Sequence, residues 1–390
     1  MSVLFCQIST NLINPLRNDI SSQYYEKIWT ARQDEGYVKP KDFWEIPNWV
    51  ALLRRNIGIA DFKIIRKIDK FVEFLNGCDS YHYICFSVLE ANKALVKEII
   101  DKYVGNATFA LGGYINLRKY FAGYDNVAAF ETIKDFSCLV SGNFVYDYDY
   151  SDFRGYKCIP RLALSTGCRH RCMFCTVSNK LKEIDQWKIE DHIKAFRNLN
   201  FKLVYLNDKT FGQAKNRRLL PKLSEKIKAI NNNFEGFIIQ TTPAQLLKMD
   251  FSFLEKSQVK FIELGVETFN DPILKKHRKP SSERHIAEAT KRFRDSEIRL
   301  IPNLIVGFPQ ETMETYGRTL HYVEENRDVI SHLNVYNLAI YEGADLAQQL
   351  KVNQTEDTNE LSHIKSFHKD KRPHQWFHDA IFNLGLELLA

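Results

Sequence analysis

A chain of 390 residues is too long for one small core and long enough for two domains of ordinary size. Its 44% apolar and 13% aromatic content, with only 17 glycines and 11 prolines, excludes a disordered tail and describes a protein with a real core. The 54 Lys and Arg against 48 Asp and Glu leave +6, too slight an excess to argue for a polyanionic partner, and nucleic acid is not expected.

The opening MSVLFCQIST carries no basic leader, and no run of about 18 apolar residues follows anywhere, so a cytoplasmic protein without a membrane segment is expected. SVLFCQI (2–8) and DFKII (61–65) are strand candidates. Between them, Pro15, Pro40 and Pro47 interrupt a stretch rich in aromatics, including Trp29, Trp44 and Trp49, that has no clean period; core packing is its default explanation. HYICFSV (82–88) reads as a buried strand, and 91–104 as a helix with Ala91, Leu95, Ile99 and Tyr103 on one face. ATFALGG (107–113) and NVAAF (126–130) follow as strands and 133–140 as a short helix. This alternation implies parallel pairing with right-handed crossovers.

The stretch VYDYDYSDFRGYK (145–157) shows neither period and reads as a linker. Beyond it, strands are predicted over 161–167, 202–208, 236–242, 260–266, 300–308 and 332–341, with helices between them. The fold class is thus α/β: a doubly wound Rossmann-like domain over 1–145, a linker over 146–157, a partial (β/α)6 barrel over 158–345 and a helical tail over 346–390. In such a barrel the reactive groups belong on the loops after the C-terminal strand ends.

One of those loops carries the chemistry. In LSTGCRHRCMFCTVSNK (164–180), Cys168, Cys172 and Cys175 are spaced Cys-x3-Cys-x2-Cys directly after a strand. Three thiolates on one loop hold three corners of a cubane cluster and leave its fourth iron without a protein ligand. A structural zinc site wants four ligands, normally in two separated pairs; His170 is the fourth-ligand candidate here, though on so short a loop it should point outward. The other five cysteines are scattered, and Cys85, inside an apolar run, reads as a small buried hydrophobe.

The loop resembles the signature of the radical S-adenosylmethionine superfamily, in which an aromatic residue, here Phe174, precedes the third cysteine. The resemblance extends over about 160–345. YLNDKTF (205–211) is similar to an Asp-Asp-x-Phe stretch of members with a cobalamin-binding domain, with Asn207 in place of the first acid. ELGVETF (263–269) is similar to a Gly-x-Glu-Ser/Thr stretch, and NLIVGFPQET (303–312) to an Ile-x-Gly-x-Pro-x-Glu stretch.

The resemblance implies a [4Fe–4S] cluster on Cys168, Cys172 and Cys175 that reductively cleaves S-adenosylmethionine to a 5′-deoxyadenosyl radical, with flavodoxin or ferredoxin as electron donor. It places Phe174 against the adenine, Asn207 and Asp208 near the methionine amino group, Glu267 on the ribose hydroxyls and Gly307 on the adenine side. The radical would abstract hydrogen from a small-molecule or peptide substrate held between the two domains. The outcome stays open between cobalamin-dependent methylation of carbon or phosphorus and cobalamin-independent rearrangement, epimerisation or cyclisation of a metabolite or ribosomal peptide. A non-catalytic metal-binding protein is the rival class.

In the first domain, Ser87-Val88-Leu89 and Gly112-Gly113 resemble two markers of the cobalamin-binding domains fused ahead of many such enzymes. The Asp-x-His-x-x-Gly loop, the third marker, does not occur, and the only histidine before residue 145 is His82. Cobalamin bound without a histidine, and loss of the cofactor with retention of the fold, both stand. Because the tail from 342 has no cysteine, the resemblance also argues for a single cluster, and it argues against the tRNA methylthiotransferases, which need three further cysteines in the N-terminal domain and an RNA-binding C-terminal module. Two basic runs remain: Lys275 to Lys279, read as a solvated helix face, and 368–378, where basic and aromatic residues mix.

Overall fold

The computed structural model describes residues 1–15, 17–38, 42, 45–78, 80–113, 116–341, 343–350 and 370–390. Trp44 and most of the tail that precedes 370 lie outside the described residues. Two compact units result: Met1–Arg17, Val38–Pro160 and Asp191–Asn200 form the first, and Asn18–Tyr37, Arg161–Glu190 and Phe201–Ala390 the second.

The first unit is built on a parallel sheet of β1 (Val3–Ile8), β2 (Asp61–Ile65), β3 (Tyr83–Val88), β4 (Thr108–Gly113) and β5 (Val127–Ala129), ordered β2-β1-β3-β4-β5. Helices cover both faces, so the central strands read as almost unbroken apolar runs. Leu4, Cys6 and Ile8 pack towards the helices Ile68–Asn76 and Lys93–Lys102, while Phe5 turns the other way to meet Trp49 at 6.1 Å. Burial raises the thiols of Cys6 and Cys85 above their usual range, as suits two small hydrophobes in the core. This strand order reverses direction between β1 and β3, the switch point outside whose C-terminal ends open α/β sheets bind ligands.

The aromatic stretch at 145–157 lacks regular structure apart from one short turn of helix, but it is firmly packed into this unit rather than free. Arg54 grips the Asp152 carboxylate with two bonds of 2.8 Å, Tyr150 Oη meets His192 Nε2 at 2.8 Å, and the Tyr148 ring stacks 3.8 Å from that histidine.

The second unit is a parallel, curled six-stranded sheet in sequence order: β6 (Arg161–Leu162), β9 (Leu203–Leu206), β10 (Gly236–Thr241), β11 (Val259–Glu267), β12 (Arg299–Val306) and β13 (Asn334–Asn337). It is the expected partial barrel. The first strand stops early, because the N–H of Leu164 leaves the ladder for Oδ2 of Asp208 at 3.0 Å. The chain then forms an antiparallel ribbon, β7 (Ser165–Thr166) with β8 (Lys182–Glu183), that closes the base of the cysteine loop.

The free edge of the barrel is finished by a segment from the start of the chain. Asp19 caps the helix Ile20–Ala31, whose Tyr24 hydroxyl donates to the Leu333 carbonyl at 2.9 Å and accepts the Leu333 N–H at 2.6 Å. Tyr25 does the same for Val335, at 2.7 and 3.1 Å. Two phenols thereby stand in for the backbone of a further strand along β13 and satisfy polar groups that an edge would leave open. The C-terminal helix Arg372–Leu388 packs on the same element, Phe382 lying 5.4 Å from the Tyr24 ring. These contacts are why residues 18–37 join the second unit although they lie between β1 and β2 of the first sheet in sequence.

Candidate active site

Gly167 starts the cysteine loop at φ +78°, where an added Cβ would sit 2.2 Å from the Lys180 carbonyl oxygen. Only glycine lets the loop fold back on itself this closely. The Cys168 N–H then donates to Ser178 O at 2.9 Å, and Cys175 N–H to Cys172 O at 3.1 Å. Amides also point at sulfur: His170 N–H at Cys168 Sγ (3.5 Å) and Val177 N–H at Cys175 Sγ (3.4 Å). Hydrogen bonds to sulfur of this kind tune iron–sulfur sites. Cys168 is buried, Cys172 half-buried and Cys175 exposed. Burial pushes the Cys172 thiol up to about 11, with Lys279 acting against the rise and Cys175 and Cys168 adding to it.

Among the described residues no three His, Cys, Asp or Glu side chains stand as a ready-made ion site. The loop instead offers a donor set, three thiols within eight residues. Gln213, a residue that no motif or spacing singles out, holds that set to the barrel. Its Oε1 accepts the Arg169 N–H at 2.9 Å and its Nε2 reaches Cys168 Sγ at 3.7 Å. His170, expected to face outward, is half-buried and has Nε2 buried without a hydrogen-bond partner.

Asp208, expected beside the methionine amino group, engages one oxygen with Leu164 N–H and the other with the Ser165 hydroxyl. It anchors the root of the cysteine loop. Asn207, next to it, is half-buried and fixed through its backbone N–H to Leu162 O at 2.8 Å.

Glu267 ends β11 in a left-handed conformation, φ +64°, beside a shift in the register with β12. That turn folds its carboxylate onto Lys279, and the two form a buried ion pair. Burial opposes the charge of Lys279, but Glu267 and Cys172 outweigh it and its pKa lies above the ordinary lysine value. The basic run is therefore not one solvated face. Lys275, Lys276 and Arg278 are exposed, whereas His277 is buried and Lys279 turns inward past Arg278 at φ +53°.

Phe174 lies 5.7 Å from Phe308 in an apolar cluster with Ile273 and Leu338, and the adjacent Met173 N–H donates to His277 O at 3.0 Å. Gly307, φ +103°, donates its N–H to the Tyr316 hydroxyl at 2.9 Å; that hydroxyl also pairs with the buried His374. The structure thus gathers Cys172, Glu267 and Lys279 around one electrostatic centre, and places Phe174 beside Phe308, the residue after Gly307.

Residues 162–323 match the family profile of the radical SAM superfamily. The second unit carries a radical SAM domain. Radical SAM enzymes use a [4Fe–4S] cluster and S-adenosylmethionine. A probable threonylcarbamoyladenosine tRNA methylthiotransferase of Archaeoglobus fulgidus is 23% identical over 207 residues, 48% of this chain and 49% of that protein. The chain spans about half the length of the first curated relatives it matches. The structure of TsrM, a radical S-adenosylmethionine methyltransferase from Kitasatospora setae with cobalamin and a [4Fe–4S] cluster bound, superposes with a TM-score of 0.59. That match has 12% identity and covers 91% of this chain and 79% of TsrM. The cobalamin-dependent S-adenosylmethionine radical enzyme OxsB gives 0.55 at 13% identity, over 94% of this chain and 56% of OxsB. At such identities the likeness is one of fold. Among the described residues no helix is long and apolar enough to cross a membrane.

Proposed function

We propose that this radical SAM protein cleaves S-adenosylmethionine at a [4Fe–4S] cluster held by Cys168, Cys172 and Cys175, and abstracts hydrogen from a small-molecule or peptide substrate. The single observation behind this reading is a loop that presents three thiols, and amides aimed at two of the sulfurs, at the C-terminal end of the barrel sheet. When bound, the cluster and S-adenosylmethionine supply an electron and a labile carbon–sulfur bond. The protein's part is position and exclusion of water. Glu267, held by Lys279, accepts the ribose hydroxyls; Asn207 lies near the methionine amino group; Phe174 and the backbone of Gly307 flank the adenine. A flavodoxin or ferredoxin supplies the electron.

Anaerobic reconstitution tests the reading. About four irons per chain, with 5′-deoxyadenosine released on reduction and lost in Cys172→Ala, is the expected result. One zinc per chain and no cleavage overturns it.

A second reading, cobalamin-dependent methylation, is favoured by the β2-β1-β3-β4-β5 sheet and by the fold it shares with TsrM and OxsB. At the C-terminal strand ends, Gly112 has room: a Cβ there would meet nothing nearer than 3.9 Å. Gly113 is explained by packing alone, since its Cβ would sit 1.9 Å from Val88 O. His82 is exposed at the start of β3, the wrong end of the sheet for a cobalt ligand, so the corrin would bind without it. Incubation with hydroxocobalamin followed by desalting should leave a corrin spectrum on the protein, and a colourless cluster-free protein removes this reading.

A further inference from the structure

Each of the six barrel strands contributes one polar residue to the same face of the sheet: Arg161, Tyr205, Gln240, Glu263, Asn303 and Asn334. Arg161 is in register with Tyr205, Gln240 with Glu263, and Asn303 with both Gly265 and Asn334. The set climbs by about one residue per strand, the stagger that makes a level layer across a barrel. The bonds confirm convergence. Tyr205 Oη donates to Glu263 Oε2 at 2.8 Å, reaching from β9 past β10 to β11. It also lies 3.3 Å from Gln240 Oε1, Asn334 Nδ2 donates to Asn303 Oδ1 at 3.0 Å, and the Arg161 guanidinium stands 4.2 Å over the Tyr205 ring. Both asparagines stand close enough to Glu263 to pull its carboxyl down against the rise that burial causes. Side chains two strands apart meet only on the concave side.

Barrel interiors are ordinarily filled by Val, Ile and Leu, and a buried carboxylate is a weak source of stability. A wholly polar layer is therefore poorly explained by folding alone. The layer is not sealed, since Arg161, Gln240 and Asn334 are only half-buried and Tyr336, close enough to feel Glu263, is exposed. It also lies under the reaction centre. The next residue on the same face of β11 is Gly265, whose added Cβ would touch Lys279 Nζ at 2.8 Å and Glu267 Oε1 at 2.9 Å.

We propose that this layer is the floor of the substrate site and that it selects a carboxamide or peptide group, Glu263 and Tyr205 receiving N–H while the Asn and Gln amides and Arg161 donate to C=O. The pairing follows from the inventory: one carboxylate and three amides mirror the paired donor and acceptor of an amide, and present no surface to a hydrocarbon. The inference rests on the radical SAM reading and deepens it.

The test uses the reconstituted holoenzyme with N-acetylated dipeptide amides against straight-chain alcohols of equal size. The dipeptide amides should bind and raise 5′-deoxyadenosine above the substrate-free level, and Glu263→Gln should weaken their binding about tenfold or more at an unchanged melting temperature. Equal binding of the alcohols, wild-type affinity in Glu263→Gln, or no binding by any dipeptide amide overturns the proposal. If Glu263→Gln does not accumulate, Tyr205→Phe carries the same comparison. Substrate-free cleavage by the wild type separates the two failures: its absence overturns the radical SAM reading, its presence without amide binding only the layer's role.

Discussion

The hydroxyl of Tyr316 accepts the backbone N–H of Gly307 at 2.9 Å and pairs on its other side with His374 of the C-terminal helix. The loop that ends β12 is thus held by a residue on the following helix, and that residue by one near the chain's end. Tyr316→Phe should remove the hydroxyl that Gly307 and His374 share and cost about 1–3 kcal/mol. Urea denaturation measures this, and calorimetry should show weaker S-adenosylmethionine binding by the folded variant.

Lys279 and Glu267 are a buried pair, so removing one charge strands the other. Lys279→Met should destabilise by about 3–5 kcal/mol. Gly265→Ala keeps both charges but pushes a methyl group between them, and should cost about 1–3 kcal/mol while lowering iron retention after reconstitution. A Gly265→Ala protein with wild-type stability and iron content would show that the pair has room to separate.

Glu311 gives a pH dependence with a definite sign. Burial pushes its carboxyl up to about 7, against the pull of the Thr315 and Thr268 hydroxyls, and Oε1 has no partner. A folded-state pKa above the unfolded value of 4.5 means stability is fully present below 4.5 and is lost as pH rises through 7. Glu311→Gln should abolish that loss and be the more stable protein at pH 8 by roughly 3 kcal/mol. Melting curves at successive pH values for the two proteins decide it.

Asp208 ties Leu164 and Ser165 to the end of β9. Asp208→Ala should cost about 1–3 kcal/mol and, because the root of the cysteine loop loosens, lower the iron bound per chain. Were Asp208 instead a direct S-adenosylmethionine ligand, affinity would fall at full iron content.

The strands of both sheets were legible in the sequence because buried parallel strands are continuous apolar runs, and the three cysteines because their spacing has few uses. What stayed hidden depends on distant partners. The helix Ile20–Ala31 has no strong period of its own, since Tyr24 and Tyr25 face carbonyls some three hundred residues away. Lys279 reads as one charge among five, and only the turn at Arg278 takes it inside. Gln213 and Tyr316 each act through a pair of side-chain hydrogen bonds that no periodicity announces. Asp208 was visible as a loop acid, but not that both oxygens are engaged.

The phenols that finish the barrel edge have a consequence for the order of assembly. Because Leu333 and Val335 leave the ribosome long after Tyr24 and Tyr25, the early helix must wait through most of synthesis for the strand it completes. Nascent chains halted before residue 333 should therefore keep that helix open to protease, and release past β13 should protect it.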